Sequence, residues 1–336
     1  MASAAVRDAR ISSASVFPAR RKPSFQKSST KNLGKKPNFK LERVKCPTGF
    51  IPVRRTTKED LIREKKLLNK SILVQGAPSV HVCCLLVNRI SNFHDLFLLV
   101  ISCLILKFVF LQLAELALSS KFSPYYGVEG RNSVYNPRVT KGQMSLSHVW
   151  VQNGPNNKIS LGWQRDNFHK TGCYNVRCPG IVHTNSEIYL GQHVGATSSY
   201  GGPIFDFDNY ISMHAVTKDW WIQANGEDIG YYPAKLFSNL TSADKVGWGG
   251  RTLTPHGSHS PPMGAGHFPD NDLYHSSYFR TISFENAIRI KNGPEIYQTE
   301  KYVDKPNCFG LKYYGNLHGI AGYMVQFGGP GGMCDD

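Results

Sequence analysis

Short strand-like runs separated by turn residues make up the chain from about residue 121 to its end. Aromatic and β-branched side chains are concentrated at residues 187–194, 219–224, 278–290, 296–303, 308–314 and 319–327. Gly, Pro, Asn and Asp stand between these runs, and no long stretch keeps a helical period. Many short strands at close spacing predict an all-β domain, either an antiparallel sandwich or a barrel.

The positive charge lies almost entirely in the N-terminal part of the chain. The formal charge is +15 over 336 residues, but residues 1–70 hold 19 Lys and Arg against 5 Asp and Glu. The remaining residues carry 20 basic and 19 acidic side chains, which leaves a charge of +1. Because the predicted domain is nearly neutral, the sequence does not favour nucleic-acid binding.

The first 45 residues are rich in Ser, Lys, Arg and Pro and contain no apolar run. Such a composition cannot form a packed core and predicts a disordered basic leader. It is more typical of a chloroplast transit peptide than of a secretory signal, which needs a continuous apolar stretch near its start.

An apolar segment interrupts the chain at residues 96–113, broken only by Ser102, Lys107 and Gln112. Its length is at the lower limit for a helix that spans a membrane. A membrane anchor, a buried helix and a segment added by an error in the gene model are the three interpretations that we consider.

Four of the eight cysteines lie in the predicted domain, at Cys173, Cys178, Cys308 and Cys334. An even number in one domain fits two disulfides. Buried free thiols are the alternative, and zinc is disfavoured because the Cys173/Cys178 spacing has no matching second pair. The Gly-rich run at 328–332 lacks the lysine of a phosphate loop and predicts a turn.

Several motifs, in one order, resemble those of the plant neprosin-domain family. They are C-P-T-G-F-I-P-V at 46–53, Y-Y-G at 125–127, V-Y-N-P at 134–137, H-V-W-V at 148–151, T-G-C-Y-N at 171–175, C-P-G at 178–180, D-W-W at 219–221, G-Y-Y-P at 230–233, W-G-G at 248–250 and M-G-A-G-H-F at 263–268. The resemblance covers nearly all of the predicted domain.

This resemblance implies a β-sandwich of two large sheets and a division of the chain into four parts. Residues 1–45 are the leader, 46–71 a remnant of an activation peptide, 72–120 an apolar insertion and 121–336 the sandwich. It also implies disulfides Cys173–Cys178 and Cys308–Cys334 and secretion from the cell. Asn239 begins a glycosylation sequon, N-L-T, which fits that destination.

The family's activity implies a secreted glutamic endopeptidase that cleaves after proline. Its two catalytic glutamates belong to an I-E-x-G-W segment and a W-G-G-E segment, where this chain has Ser160 and Arg251. One carboxylate must activate water while the other, protonated, assists the carbonyl oxygen. Serine has no carboxylate and arginine is a fixed cation, so we expect the family mechanism to be lost. The resemblance also implies a strand after Trp163 that this chain lacks.

Trp220, Trp221 and His267 are candidates for a substrate groove, with a core position as the alternative for one tryptophan and a structural role as the alternative for His267. Asp206 and Asp208 would share one face of a strand, and a solvated face or a loop contact is favoured for them over a replacement carboxylate pair. No cofactor and no metal are expected. We expect a monomer whose partner is a peptide or protein substrate if it is active, without nucleic acid, and with a membrane only if 96–113 spans one. The alternative is a non-catalytic extracellular module that binds peptide or cell-wall polymer.

Overall fold

The computed structural model describes residues 109–155, 157–165, 180–192, 194–255 and 257–334. Within them it is a sandwich of two antiparallel sheets with three short 3₁₀ turns and no α-helix. The prediction of an all-β sandwich is confirmed. The leader and the activation-peptide remnant lie outside the described residues, as do Cys173 and Cys178.

The smaller sheet has five strands. Their order across the sheet is β12 (Thr299–Val303), β1 (Val109–Leu118), β9 (Lys245–Pro255), β3 (Met144–Asn153) and β4 (Asn157–Arg165).

The larger sheet has nine strands. Eight follow one another in the order β13 (Gly310–Asn316), β14 (Tyr323–Gly328), β10 (Ser277–Glu285), β2 (Gly127–Ser133), β6 (Asp206–Met213), β7 (Trp220–Ala224), β8 (Glu227–Tyr232) and β5 (Val182–His183). The ninth, β11 (Lys291–Asn292), pairs with β10. The 3₁₀ turns are Ser120–Phe122, Ala234–Leu236 and Ile296–Gln298.

The core lies between the two sheets. Trp248 of β9 is fully buried there, and its indole N–H donates to the carbonyl of Glu129 on β2 at 2.8 Å. Gly130 permits this contact, because a Cβ at that position would lie 3.0 Å from the Trp248 ring. The two sheets are therefore held together both by apolar burial and by a hydrogen bond from a buried tryptophan.

Strand β1 lies inside the range that we predicted to be an apolar insertion. Residues 109–118 form this strand between β12 and β9, so this part of 72–120 belongs to the sandwich. Ala114, Leu116 and Leu118 pack in the core. Apolar residues also stand on the outer face of β1, at Leu111, Leu113 and Ala117, so the strand shows no simple alternation and its sequence resembles an apolar helix. Among the described residues no helix is long and apolar enough to span a membrane.

One predicted strand is not formed. The described residues of 187–194 are irregular, because the Asn185 side chain accepts hydrogen bonds from the backbone N–H groups of Glu187 and Ile188, both at 2.8 Å. This side-chain arrangement competes with strand pairing and stabilises a turn.

Cys308 and Cys334 form a disulfide, with a Cα–Cα distance of 5.9 Å. Both residues are buried. The bond ties the end of the described chain to the segment before β13. Asn239 and Thr241 of the sequon are both exposed in the loop before β9, so the sequon is accessible.

Candidate functional site

The outer face of the five-stranded sheet, which points away from the core, carries the two positions that replace the family glutamates. Ser160 on β4 lies opposite Trp150 on β3, and Trp150 lies opposite Gly247 on β9. Arg251 is four residues beyond Gly247. Since directly opposite residues and residues two apart share a face, Ser160 and Arg251 are both on the outer face.

The register does not bring Ser160 and Arg251 together. They are two strands apart and four residues apart along the strands. Ideal sheet spacings place their Cα atoms roughly 16 Å from each other. The row of opposite residues between them contains Gly162, His148, Gly249 and Glu115. The two positions therefore share a surface, with other side chains between them.

Arg251 is bound to a carboxylate that the sequence analysis did not identify. Its Nη2 donates to Oε2 of Glu115 at 2.9 Å, and its Nε donates to Oε1 of the same group. His148 Nε2 lies 2.7 Å from Glu115 Oε1. Glu115 and His148 are 2% and 5% exposed. A fork-to-fork arginine–carboxylate pair with a third donor leaves Glu115 no oxygen that is free of a charged or polar partner.

Glu115 was missed because it stands in the apolar run L-Q-L-A-E-L-A-L at 111–118. A single acidic residue in an otherwise apolar strand is a usable signal, since a buried carboxylate requires a partner. The partner itself is not readable from sequence, because Arg251 is 136 residues away and faces Glu115 only through the β1–β9 register.

The electrostatics of this group keep Glu115 ionised. Burial is the largest single influence on its pKa and raises it. The charges of Arg251 and Lys158, with hydrogen bonds from Arg251 and His148, outweigh burial and hold the pKa well below the usual 4.5. Burial lowers the pKa of His148 from 6.5 to about 4, so His148 is neutral near neutral pH.

Because His148 is buried in its neutral form, we expect the free energy of unfolding to fall in acid. Its pKa is lower in the folded state than in the unfolded state, so its contribution is fully present above pH 6.5 and is lost as pH falls to about 4. We expect His148→Gln, which keeps an N–H donor, to flatten this part of the stability profile by on the order of 2–3 kcal/mol. Urea unfolding at intervals between pH 7 and 4 measures it. An unchanged profile would contradict the assignment.

Lys158 lies two residues before Ser160 and on the same face. Its Nζ is 4.1 Å from the centre of the Trp150 ring. Burial lowers the pKa of Lys158 to about 8, although the charge of Glu115 acts in the opposite direction. Lys158 is therefore mainly a cation at neutral pH, held against an aromatic ring.

Two of the three predicted groove residues, Trp220 and Trp221, belong to the nine-stranded sheet. Trp220 is fully buried in the core, where its indole N–H donates to the Leu240 carbonyl at 2.8 Å. Trp221 is on the outer face of the nine-stranded sheet and packs on Tyr231, with ring centres 4.8 Å apart. His267 stacks on Tyr200, with ring centres 3.8 Å apart. Neither tryptophan is therefore on the surface that carries Ser160 and Arg251.

Asp206 and Asp208 share the outer face of the nine-stranded sheet, as alternation predicts. Arg280 Nε donates to Asp206 at 2.8 Å, and Arg131 binds Asp208 through two nitrogens. Their carboxylates are thus paired with arginines, and we do not assign them a catalytic role. The described part of the chain contains no cluster of three or more His, Cys, Asp or Glu suited to a metal ion.

Two solved structures with similarity to this chain are peptidases. One is described as SCP-B, a member of the Eqolisin family of peptidases, in a complex with the tripeptide Ala-Ile-His. It has 9% identity and a TM-score of 0.33, and the match covers 65% of this chain and 96% of that one. The other is Scytalido-glutamic peptidase with a peptide-based transition state analogue, at 7% identity, a TM-score of 0.34 and the same coverages. Similarity at this level carries no argument about chemistry.

A match to a sequence family is more informative. The family model named Neprosin matches residues 159–330, which is more than half of the chain. The matched range begins in β4, includes β9 and contains both Ser160 and Arg251. The chain therefore belongs to the neprosin family.

Proposed function

We propose that this protein binds peptides on the outer face of the five-stranded sheet and does not hydrolyse them by the two-glutamate mechanism. Family membership supports the binding of peptides, and the observation that carries the loss of hydrolysis is the state of Arg251. It occupies a family glutamate position and is bound through two nitrogens to buried Glu115. The site thus has a paired, ionised carboxylate where the mechanism needs a carboxylate that can hold a proton.

A second carboxylate on this face supports the same conclusion. Glu300 on β12 lies opposite Ala117 on β1, which in turn lies opposite Gly247 on β9, so Glu300 is also on the outer face. Hydrogen bonds from Tyr302 and Ser119, and then Lys245, lower the pKa of Glu300 to about 2. Because both Glu115 and Glu300 favour the ionised form, neither is suited to donate a proton to a carbonyl oxygen at mildly acidic pH.

Residual peptidase activity is the competing function, and one residue favours it. Asp304 follows β12 directly, and burial raises the pKa of its carboxyl group. Its Oδ1 accepts the backbone N–H of Leu113 at 2.9 Å, which gives it a role in joining β12 to β1. Leu113 is two residues from Glu115 on β1, so a protonated Asp304 together with ionised Glu115 would be the pair of carboxyl groups that such an activity requires.

The test combines cleavage and binding. The full chain is incubated with an N-acetylated, proline-containing hexapeptide between pH 2 and 6, and products are followed by mass spectrometry beside an active glutamic peptidase. We expect an intact peptide that binds in a calorimetric titration. Cleavage that disappears in Asp304→Asn or Glu115→Gln would contradict the proposal and establish the competing function.

We also propose that the protein is secreted. Family membership and the buried Cys308–Cys334 disulfide support this location, since disulfides persist in oxidising compartments. The accessible sequon at Asn239 fits the same route.

A further inference from the structure

We propose that Trp150, Lys158 and Ser160 form a subsite that binds a carboxylate of the peptide ligand. The inference rests on the proposed function, because it names the chemical group that this face recognises. The three side chains occupy neighbouring positions on β3 and β4, with Ser160 directly opposite Trp150 and Lys158 two residues before Ser160. Each of them offers a hydrogen-bond donor.

The indole N–H of Trp150 is a buried donor without an acceptor. The residue is only 4% exposed, and Nε1 has no hydrogen-bond partner. Buried polar groups in native proteins nearly always have a partner, and one without a partner costs free energy. Three other buried tryptophans, Trp163, Trp220 and Trp248, each donate to a backbone carbonyl at 2.8 Å. Trp150 thus differs from them in a way that an oxygen acceptor from a ligand would correct.

Lys158, beside Trp150, is a cation without a directly bound anion. Its ammonium group rests on the Trp150 ring, and no ion pair joins it to a carboxylate in the described part of the chain. Lys245, on the same face, shows the usual arrangement, with Glu300 at 3.2 Å. Burial lowers the pKa of Lys158 to about 8, and the charge of Glu115, which is not in direct contact with the ammonium group, offsets this only in part.

Glu115, whose charge acts on Lys158, cannot accept hydrogen bonds from Trp150, Lys158 and Ser160. Both oxygens of Glu115 are occupied by Arg251, and one also by His148. Ser160 is exposed, so the cluster is open to solvent at that end. A cation, an indole N–H and a hydroxyl without a shared acceptor fit a ligand that brings two oxygens and a negative charge, which is a carboxylate.

A peptide offers carboxylates from two sources, its C-terminus and the side chains of Asp and Glu. Calorimetry with the full chain at pH 6.5 compares three forms of the N-acetylated hexapeptide. One has a free C-terminal carboxylate and no acidic side chain, one is its carboxamide, and one is the carboxamide with an internal Glu. We expect at least one carboxylate form to bind about tenfold or more tightly than the plain carboxamide.

Two variants test the residues. Lys158→Met and Trp150→Phe should each bring the carboxylate form close to the affinity of the carboxamide, and Lys245→Met should leave the tenfold preference in place. If Trp150→Phe fails to fold, Lys158→Met alone decides. Equal binding of all three peptides to the wild-type protein would overturn the subsite and leave the proposed function standing. Binding of none of them would overturn both.

Discussion

Arg251→Met is expected to lower the free energy of unfolding by about 3–5 kcal/mol at pH 7, because it leaves buried Glu115 without its counter-ion. The Glu115 side chain is 3% exposed and that of Arg251 is 19% exposed, so water cannot replace the lost partner fully. Urea unfolding of wild type and variant measures the difference. A loss below about 1 kcal/mol would show that the pair is not the strong contact that the geometry indicates.

The pH dependence of this loss identifies its cause. In the wild type the pKa of Glu115 is lowered, so its stabilisation is present above about 4.5, the unfolded value, and is lost as pH falls through the folded value. In the variant, burial is no longer opposed by Arg251 and favours the neutral carboxyl group. The gap between the two proteins should therefore narrow in acid. Lys245→Met is the matched control, since its partly exposed pair with Glu300 should contribute about 0–1 kcal/mol.

Loss of the Cys308–Cys334 disulfide is expected to cost about 3–4 kcal/mol, according to the chain-entropy estimate for a loop of this size. The two residues are 26 apart in sequence and both are buried. The double variant Cys308→Ser/Cys334→Ser is compared with wild type by urea unfolding. Reductant should destabilise the wild type to the level of the variant. A difference below about 1 kcal/mol would mean that the loop is already constrained without the bond.

The sequence predicted the sandwich well where short runs of aromatic and β-branched residues end at turn residues. The run at 219–224 corresponds to β7, and the second part of the run at 296–303 corresponds to β12, whereas Ile296–Gln298 form a 3₁₀ turn. Strand β1 could not be recognised in this way, because apolar residues stand on both of its faces and no turn residue separates it from the apolar residues that precede it. The strand predicted at 187–194 is not formed, because a turn stabilised by the Asn185 side chain replaces strand pairing there.

The residues of the candidate site also differ in whether the sequence could identify them. Ser160 and Arg251 were identified from motifs, which are local in sequence. Glu115 and His148 were not, because their contact depends on the register of β1, β9 and β3. The roughly 16 Å that separates Ser160 from Arg251 is likewise a property of the strand order. Motifs thus located the surface, and only the sheet topology showed which side chains meet on it.

The ionisation of Glu115 is the quantity on which the account depends. Carbon-13 NMR of the side-chain carboxyl groups, with Glu115→Gln for assignment, follows it from pH 7 downwards. The account predicts that Glu115 is still fully ionised at pH 4.5 and titrates well below that value. A Glu115 carboxyl group that takes up its proton at or above pH 4.5 would contradict it, because this face would then hold an acid of the kind that a glutamic peptidase requires.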